Sequence, residues 1–334
     1  MKKWLAIVAA ALLIVQGCSQ ENEKSKEAPE NQADTGTEAF SYPLTGLKAA
    51  AEPDERAVAV MVNNHPEARP QSGLDKADIV FEVLAEGHIT RFLAIYESEK
   101  PEKVGPVRSA RDYYIELAKG YDSLFVAHGY SPDAKKLLSS GYIDELNGMQ
   151  YDGTLFERVS FRQAPHNSYI DFESIEAGAE ERGYSMDAAP AALLFGEPGE
   201  MEGDEAESVL ISYGDSSYDS EFAFDAAEAK YHRYSAGVET ADYESENPVK
   251  LDNVIIVEMD HSIVDQAGRR SIDLTSGGNG YLLQEGMVKE IEWKNSGGRI
   301  IPYIEGREAP LVPGKTWISI VPQLEQVAFE AGSQ

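Results

Sequence analysis

The hydrophobic pattern divides the chain into stretches of different character. Met1-Lys2-Lys3 precedes an apolar run from Trp4 to Val15, and residues 19–39 contain no aromatic residue and no aliphatic one larger than Ala. From Phe40 onward, short apolar blocks are punctuated by Gly, Pro, Asn and Asp. Ala57 to Val62 is a continuous apolar run stopped by Asn63-Asn64-His65-Pro66, which predicts a buried strand and a turn. Ile79 to Leu84 and Ile89 to Tyr96 predict two more strands, joined as a hairpin through Glu86-Gly87-His88. Ser109-Ala110-Arg111-Asp112 has capping-box spacing and predicts a helix to about Lys119 that buries Tyr113, Tyr114, Leu117 and Ala118. Leu124 to His128 reads as a strand, and Ser131-Pro132-Asp133 opens a helix with Ser as cap and Pro in the first turn. A further helix spans Phe172 to Arg182. Turns and helices both separate these strands, which predicts a mixed sheet.

Residues 186–207 are rich in Ala, Gly, Pro and acids, as an acidic linker or long loop would be. Beyond them the strand signals dominate: Val209-Leu210-Ile211, Val254 to Val257, Tyr281-Leu282-Leu283 and Trp317 to Val321. Gly-containing turns are expected at 277–280, 297–298 and 306, and a frayed end from Phe329 to Gln334. The expected fold class is α/β, with an N-terminal α/β domain over 40–185 and a β-rich C-terminal domain over 208–330.

The N-terminal pattern changes the setting of these domains. A twelve-residue apolar run falls short of the roughly 20 residues that span a bilayer. With its positive start it reads as a signal peptide over 1–17. The run ends Val15-Gln16-Gly17-Cys18, which resembles the lipobox of bacterial lipoproteins, and Cys18 is the single cysteine of the 334 residues. The resemblance implies acylation of Cys18 after cleavage, and two acyl chains suffice for stable anchoring. Residues 18–39 would then be a lipidated disordered tether with a root-mean-square reach of roughly 25 Å. This places the folded part at the cell membrane, lipid-anchored on its extracytoplasmic face. One cysteine also excludes an intramolecular disulfide.

Charge excludes one class of partner. The chain carries 29 basic and 58 acidic side chains, a formal net charge of −29, and a nucleic-acid partner needs a basic face. Arginine is nevertheless concentrated in the first domain, as Arg69, Arg91, Arg108, Arg111 and Arg162 among others.

Several stretches resemble the YerB-like lipoprotein family, known mainly as a domain of unknown function. They include Arg69 to Leu74, Ala77 to Glu82, Thr90 to Ala94, Gly105 to Tyr113 and Ala164-Pro165-His166-Asn167. In the second half, Tyr231 to Tyr234, Asp252 to Val257 and Pro313 to Ile318 look like the family's companion C-terminal domain. The resemblance implies a sandwich-like N-terminal α/β domain and a smaller C-terminal one. It carries over no catalytic residue.

The candidate chemistry centres on the arginines. Arg108 and Arg111 flank a predicted helix N-terminus, where backbone N–H groups favour an anion, and guanidinium binds phosphate or carboxylate in a bidentate way. The candidate anion-binding pocket comprises Asn63, Asn64, Arg69, Arg108, Arg111, His166 and Asn167. The competing expectation is that the arginines close internal ion pairs, Arg91 with Glu82 across the hairpin and Arg111 with a neighbouring acid. The six histidines lack helical or alternating ligand spacing, so the sequence offers no metal site and implies no cofactor. His128 to Asp133 lacks the second glycine of a nucleophile elbow. Pro313-Gly314-Lys315-Thr316 lacks the first glycine of a phosphate loop.

Two functions remain. One is a non-catalytic envelope lipoprotein that binds a protein or cell-wall ligand. The other is an enzyme acting on an anionic envelope polymer or its lipid-pyrophosphate carrier. For that reading, Arg69, Asp78 and Val107 to Asp112 look faintly like the arginine-and-aspartate pattern of LytR-CpsA-Psr phosphotransferases. In those, Arg grips pyrophosphate and Asp holds magnesium. Ile79 after Asp78 departs from that family's pattern.

Overall fold

The apolar runs form strands, and the two halves of the chain contribute them to one sheet. A computed structural model describes residues 40–199 and 202–330; the expected signal segment, Cys18 and the tether to residue 39 lie outside the described residues. The first half supplies β1 (Val58–Asn63), β2 (Ile79–Glu86), β3 (Ile89–Tyr96), β4 (Leu124–Ala127) and β5 (Glu145–Asn147). Its main helices are α1 (Asp112–Lys119), α2 (Pro132–Ser139) and α3 (Phe172–Arg182). The second half begins with β6 (Ser208–Ile211), β7 (Ser220–Asp225) and β8 (Lys230–Ser235). It continues with β9 (Asn253–Glu258), β10 (Gly278–Gln284), β11 (Met287–Ser296) and β12 (Arg299–Ile304). The last two are β13 (Thr316–Val321) and β14 (Val327–Glu330).

The central sheet has twelve strands in the order β12-β11-β10-β9-β13-β2-β3-β1-β4-β5, with Arg307–Glu308 beyond β12 and Asp204–Glu205 on β11. It is mixed, as expected. β13 is the junction: it pairs in parallel with β9 on one side and with β2 on the other, from Ile79↔Thr316 to Val83↔Ile320. A six-stranded sheet built on β8-β7-β6-β14 covers part of one face.

Period-two alternation divides the side chains between the faces. Met61, Phe81, Val83 and Leu93 meet Tyr113, Tyr114 and Leu117 of α1 and Ala134 of α2. Val60, Val80, Phe92 and Trp317 meet Phe172 and Ile175 of α3 together with Val209, Phe222 and Tyr231 of the small sheet. The result is a three-layer α/β architecture with a core on each side of the long sheet.

Four local expectations need correction. α1 starts at Asp112 with Arg111 in the cap position, and no side chain caps it. The residues before it are drawn into the sheet instead: Arg108 N–H donates to the Met61 carbonyl at 2.9 Å, and His128 N–H to the Arg108 carbonyl at 3.0 Å. Ser109 consequently donates its hydroxyl to the His128 carbonyl at 3.1 Å rather than capping. Ser131 does cap α2, accepting from Ala134 N–H at 3.2 Å. The glycines at 278 and 280 begin β10 instead of making a turn, and the turn after that strand is Glu285-Gly286. A Cβ at Gly278 would lie 2.8 Å from Nε1 of Trp293, so the indole occupies the space a side chain would need. Phe329 and Glu330 pair with Val209 and Ser208 instead of fraying. Within 186–207, Leu193 and Phe195 pack against the core, and Gly196 N–H donates to the Leu311 carbonyl at 2.9 Å.

Candidate functional site

The crevice that the topology builds lies at the carboxyl ends of the parallel strands β1 and β4, the usual ligand position in open α/β sheets. The segment Val107 to Ala110 wedges between those two ends, through Val62↔Val107 and Ala110↔Tyr130 bridges. The end of β2, the start of β3 and the start of α1 reach the same edge. Glu86, Arg91, Arg108 and Arg111 therefore gather there.

Three of these four close on one another. Glu86 accepts from Arg91 Nη2 at 2.5 Å and, through its other oxygen, from Arg111 Nη2. Burial opposes ionisation of Glu86, but the Arg91 and Arg111 charges outweigh it and hold the carboxyl below its usual range. Burial, followed by the Arg111 charge, brings Arg91 down to about 10. Arg91 pairs with Glu86, not with Glu82 as the hairpin suggested, because Glu82 stands opposite Phe92 with its side chain on the other face. Arg108 is the exception. It is half-buried, its Nε has no partner among the described residues, and its one side-chain hydrogen bond there runs 3.5 Å to the Pro165 carbonyl.

Beside Arg108 stands a histidine cluster. Asn63 Oδ1 accepts from His65 N–H at 3.0 Å, leaving its Nδ2 to donate to His166 Nδ1 at 2.8 Å. His65 and His166 stack with ring centroids 4.5 Å apart, and His166 Nε2 lies 3.5 Å from Glu67. Ligand atoms of His65, Glu67 and His166 lie within 4.8 Å of one another. The hydrogen bonds made by the two rings are nevertheless wrong for a metal. A ligating histidine donates its other N–H, whereas His166 Nδ1 and His65 Nδ1 both accept, the latter from Glu67 N–H at 3.2 Å. Each neutral ring then carries its proton on Nε2 while the Nδ1 lone pair is already engaged, so neither nitrogen is free to ligate. Burial and the neighbouring His65 and Arg108 push His166 down from its ordinary value, so it is neutral near pH 7.

A Ser–His pair, unnoticed in the sequence, sits nearby. His128 Nδ1 is 2.7 Å from Ser168 Oγ, and Arg158 Nη2 donates to His128 Nε2 at 2.9 Å. The guanidinium has no lone pair to offer, so Nε2 accepts and Nδ1 carries the proton toward Ser168. That polarity is the reverse of what activates a nucleophile. Arg158 is itself held by Asp152 at 2.9 Å and donates to Asn167 Oδ1 at 3.1 Å.

The remaining nominated residues face elsewhere. Asn64 follows Asn63 and so points to the opposite face, where its Nδ2 donates to Thr90 Oγ1 at 2.7 Å and Glu82 at 3.2 Å. Arg69 donates to Asn64 Oδ1 at 3.0 Å and to the Asn64 carbonyl at 2.8 Å. Glu82 pairs with Arg233 of β8 at 2.9 Å, both fully buried. Asp78 lies at the other end of β2, roughly 25 Å along the strand from Glu86. It accepts from Ser98 N–H at 2.8 Å and Glu97 N–H at 2.5 Å, and burial pushes its carboxyl up. The seven candidate residues thus divide into separate networks. Glu86, His128 and Arg233 were missed; the signal for Arg233 was a cation at an inward position of an alternating strand, beside Tyr231.

Residues 44–185 match the family described as "Protein of unknown function (DUF3048) N-terminal domain", and residues 209–318 match its C-terminal domain. The chain is 47% identical to "Putative lipoprotein YerB" of Bacillus subtilis (strain 168) over 337 residues, covering 99% of each. The crystal structure of YerB protein from Bacillus subtilis is similar at a TM-score of 0.82 and 50% identity, covering 87% of this chain and 99% of that one. With both of its domains present in order and a full-length relative at this identity, the chain belongs to the DUF3048 family.

Proposed function

We propose that the protein is a lipoprotein anchored through Cys18 on the extracytoplasmic face of the cell membrane, where it serves as a non-catalytic binding or accessory protein of the cell envelope. The lipobox-like Val15 to Cys18 supports the anchor, as does the name of the Bacillus subtilis relative. Among the described residues no helix is long and apolar enough to cross a membrane. The observation that carries the non-catalytic reading is the separation of the groups a phosphotransferase needs in one place. Asp78 is locked at one end of β2, Arg111 is closed on Glu86 at the other, and Arg69 lies on the opposite face. The Ser168–His128 pair has its proton on the wrong nitrogen for nucleophilic attack.

Growth with an alkyne analogue of palmitate, followed by detection of the labelled chain, tests the anchor. Label is expected on the parent and absent from Cys18→Ala, which should leave the membrane fraction. Crosslinking in intact cells, with the parent and Cys18→Ala compared, tests the accessory role: a specific envelope partner is expected only with the anchored chain. Turnover of a lipid-pyrophosphate substrate by the purified chain, lost in Asp78→Asn, would refute the non-catalytic reading.

A further inference from the structure

A cleft of about 370 Å³ lies where the loop after β1 meets the edge of the small sheet. Its volume is at the lower end of the range for small-molecule sites, roughly 300–1,000 Å³. Pro66, Pro70, Ala236, Val238 and Ala241 make much of its wall apolar. Into that lining come two guanidiniums, Arg69 from the loop and Arg233 from β8, together with Ser235.

These polar groups are not fully engaged. The side-chain hydrogen bonds of Arg69 among the described residues all go to Asn64, through Nε and Nη2. Ser235 is 5% exposed, and its Oγ has no partner among the described residues. Arg233 is fully buried; Nη2 pairs with Glu82 at 2.9 Å and donates to Ser220 Oγ at 2.8 Å, Nη1 donates to Thr240 Oγ1 at 2.7 Å, and Nε alone has no partner among the described residues. Glu82 is one carboxylate against two guanidiniums, which leaves a single positive charge at the cleft. Glu239 also lines the cleft, but it is balanced from outside it: His232 lies between Glu239 at 2.7 Å and Glu228 at 3.1 Å, and Lys250 pairs with Glu228, so two acids face two bases there. A net cation lined by apolar groups is unusual in a chain whose formal charge is −29, and an excess cation that is half-buried, as Arg69 is, is stabilised by an anion.

We propose that this cleft binds a small monocarboxylate with a short apolar body, its head on Arg69 Nη1 and Ser235 Oγ and its body against Pro66, Pro70 and Val238. A planar carboxylate matches the guanidinium geometry, and one negative charge matches the local excess where a phosphate dianion would leave a charge unbalanced. Occupancy depends on neither the lipid anchor nor a protein partner, so its failure and theirs are separable.

The test uses the full chain in phosphatidylcholine nanodiscs, with empty discs as the blank. Carboxyl-labelled octanoate and N-acetylleucine are titrated by carbon NMR to about 10 mM. Saturable binding is expected for at least one; octanoate alone would assign the ligand to fatty acids, and N-acetylleucine alone to amino-acid derivatives. Arg69→Gln is expected to weaken binding about tenfold or more, through the lost charge-assisted hydrogen bond, and Arg69→Lys by less. Val238→Trp, at a position 70% exposed, should fill the mouth and block binding while leaving the fold intact, and it decides the question if Arg69→Gln fails to fold. The proposal is overturned if neither probe saturates, if octanol or octyl phosphate binds as tightly as octanoate, or if folded variants bind like the parent.

Discussion

Replacing Arg233 by Met takes away the cation beside a carboxylate that has no access to water. Glu82 and Arg233 are both 0% exposed, and their charged atoms are 2.9 Å apart. At that separation the Coulomb attraction is about 6 kcal/mol at an effective dielectric of about 20. Three hydrogen bonds to Glu82 survive the change, from Asn64 at 3.2 Å, Thr90 at 3.0 Å and Ser220 at 2.9 Å. The methionine would also keep part of the packing that Arg233 makes over Trp317, 4.5 Å from the ring centre. These offset part of the loss, so Arg233→Met is expected to destabilise the fold by about 3–5 kcal/mol, the usual cost of leaving one buried charge alone. Urea unfolding followed by near-ultraviolet circular dichroism measures it, provided the slope is unchanged. Adding Glu82→Gln removes the orphaned charge while keeping an acceptor for Asn64 and Thr90. The double variant should therefore be more stable than Arg233→Met by at least about 1 kcal/mol. A loss below about 1 kcal/mol for the single variant, or additive losses within about 0.5 kcal/mol, would refute the reasoning.

Three further substitutions follow from other parts of the fold. Burial, with Asp78 next to it, pushes Glu97 up to about 7. The folded chain thus keeps a proton that unfolded Glu releases near pH 4.3. Stability contributed at low pH is lost as pH rises toward 7, and Glu97→Gln should flatten that decline. It should be more stable than the parent by about 1–2 kcal/mol at pH 8, after allowance for solvent screening, and equal to it at pH 4; equal stability at both pH values would count against the assignment. At the end of α1, a Cβ on Gly120 would lie 2.5 Å from the carbonyl carbon of Gly298 and 3.0 Å from Arg299 N, in the turn between β11 and β12. Backbone cannot move aside as a side chain can, so Gly120→Ala should cost about 1–3 kcal/mol by thermal unfolding. Gly141→Ala, which meets no atom but sits at φ +70°, should cost only about 1 kcal/mol.

Much of the local structure was legible because its causes are local. β3 follows the apolar run Ile89 to Tyr96 residue for residue, α3 runs from Phe172 to Arg182, and Ser131 with Pro132 marks the start of α2. The start of α1 was misread because Arg108 to Ala110 had a second use for their backbone groups, in the gap between β1 and β4, and no spacing rule announces that. The candidate residues were read as one set because they are arginines and asparagines in neighbouring motifs. Pleating sends adjacent Asn63 and Asn64 to opposite faces, and a strand of eight residues holds Asp78 and Glu86 far apart.

By itself, the order of residues determined the α/β class, the strand and helix positions set by apolar periodicity and capping, and the lipobox-like run at Cys18. Only the tertiary structure decided that Thr316–Val321 joins the two halves by lying between β9 and β2. It also decided that Glu82 meets Arg233 across 151 residues of chain, that Glu86 draws in Arg91 and Arg111, and that Arg108 has no carboxylate partner among the described residues. These are contacts between groups distant in sequence, and which charges become neighbours depends on how whole sheets stack.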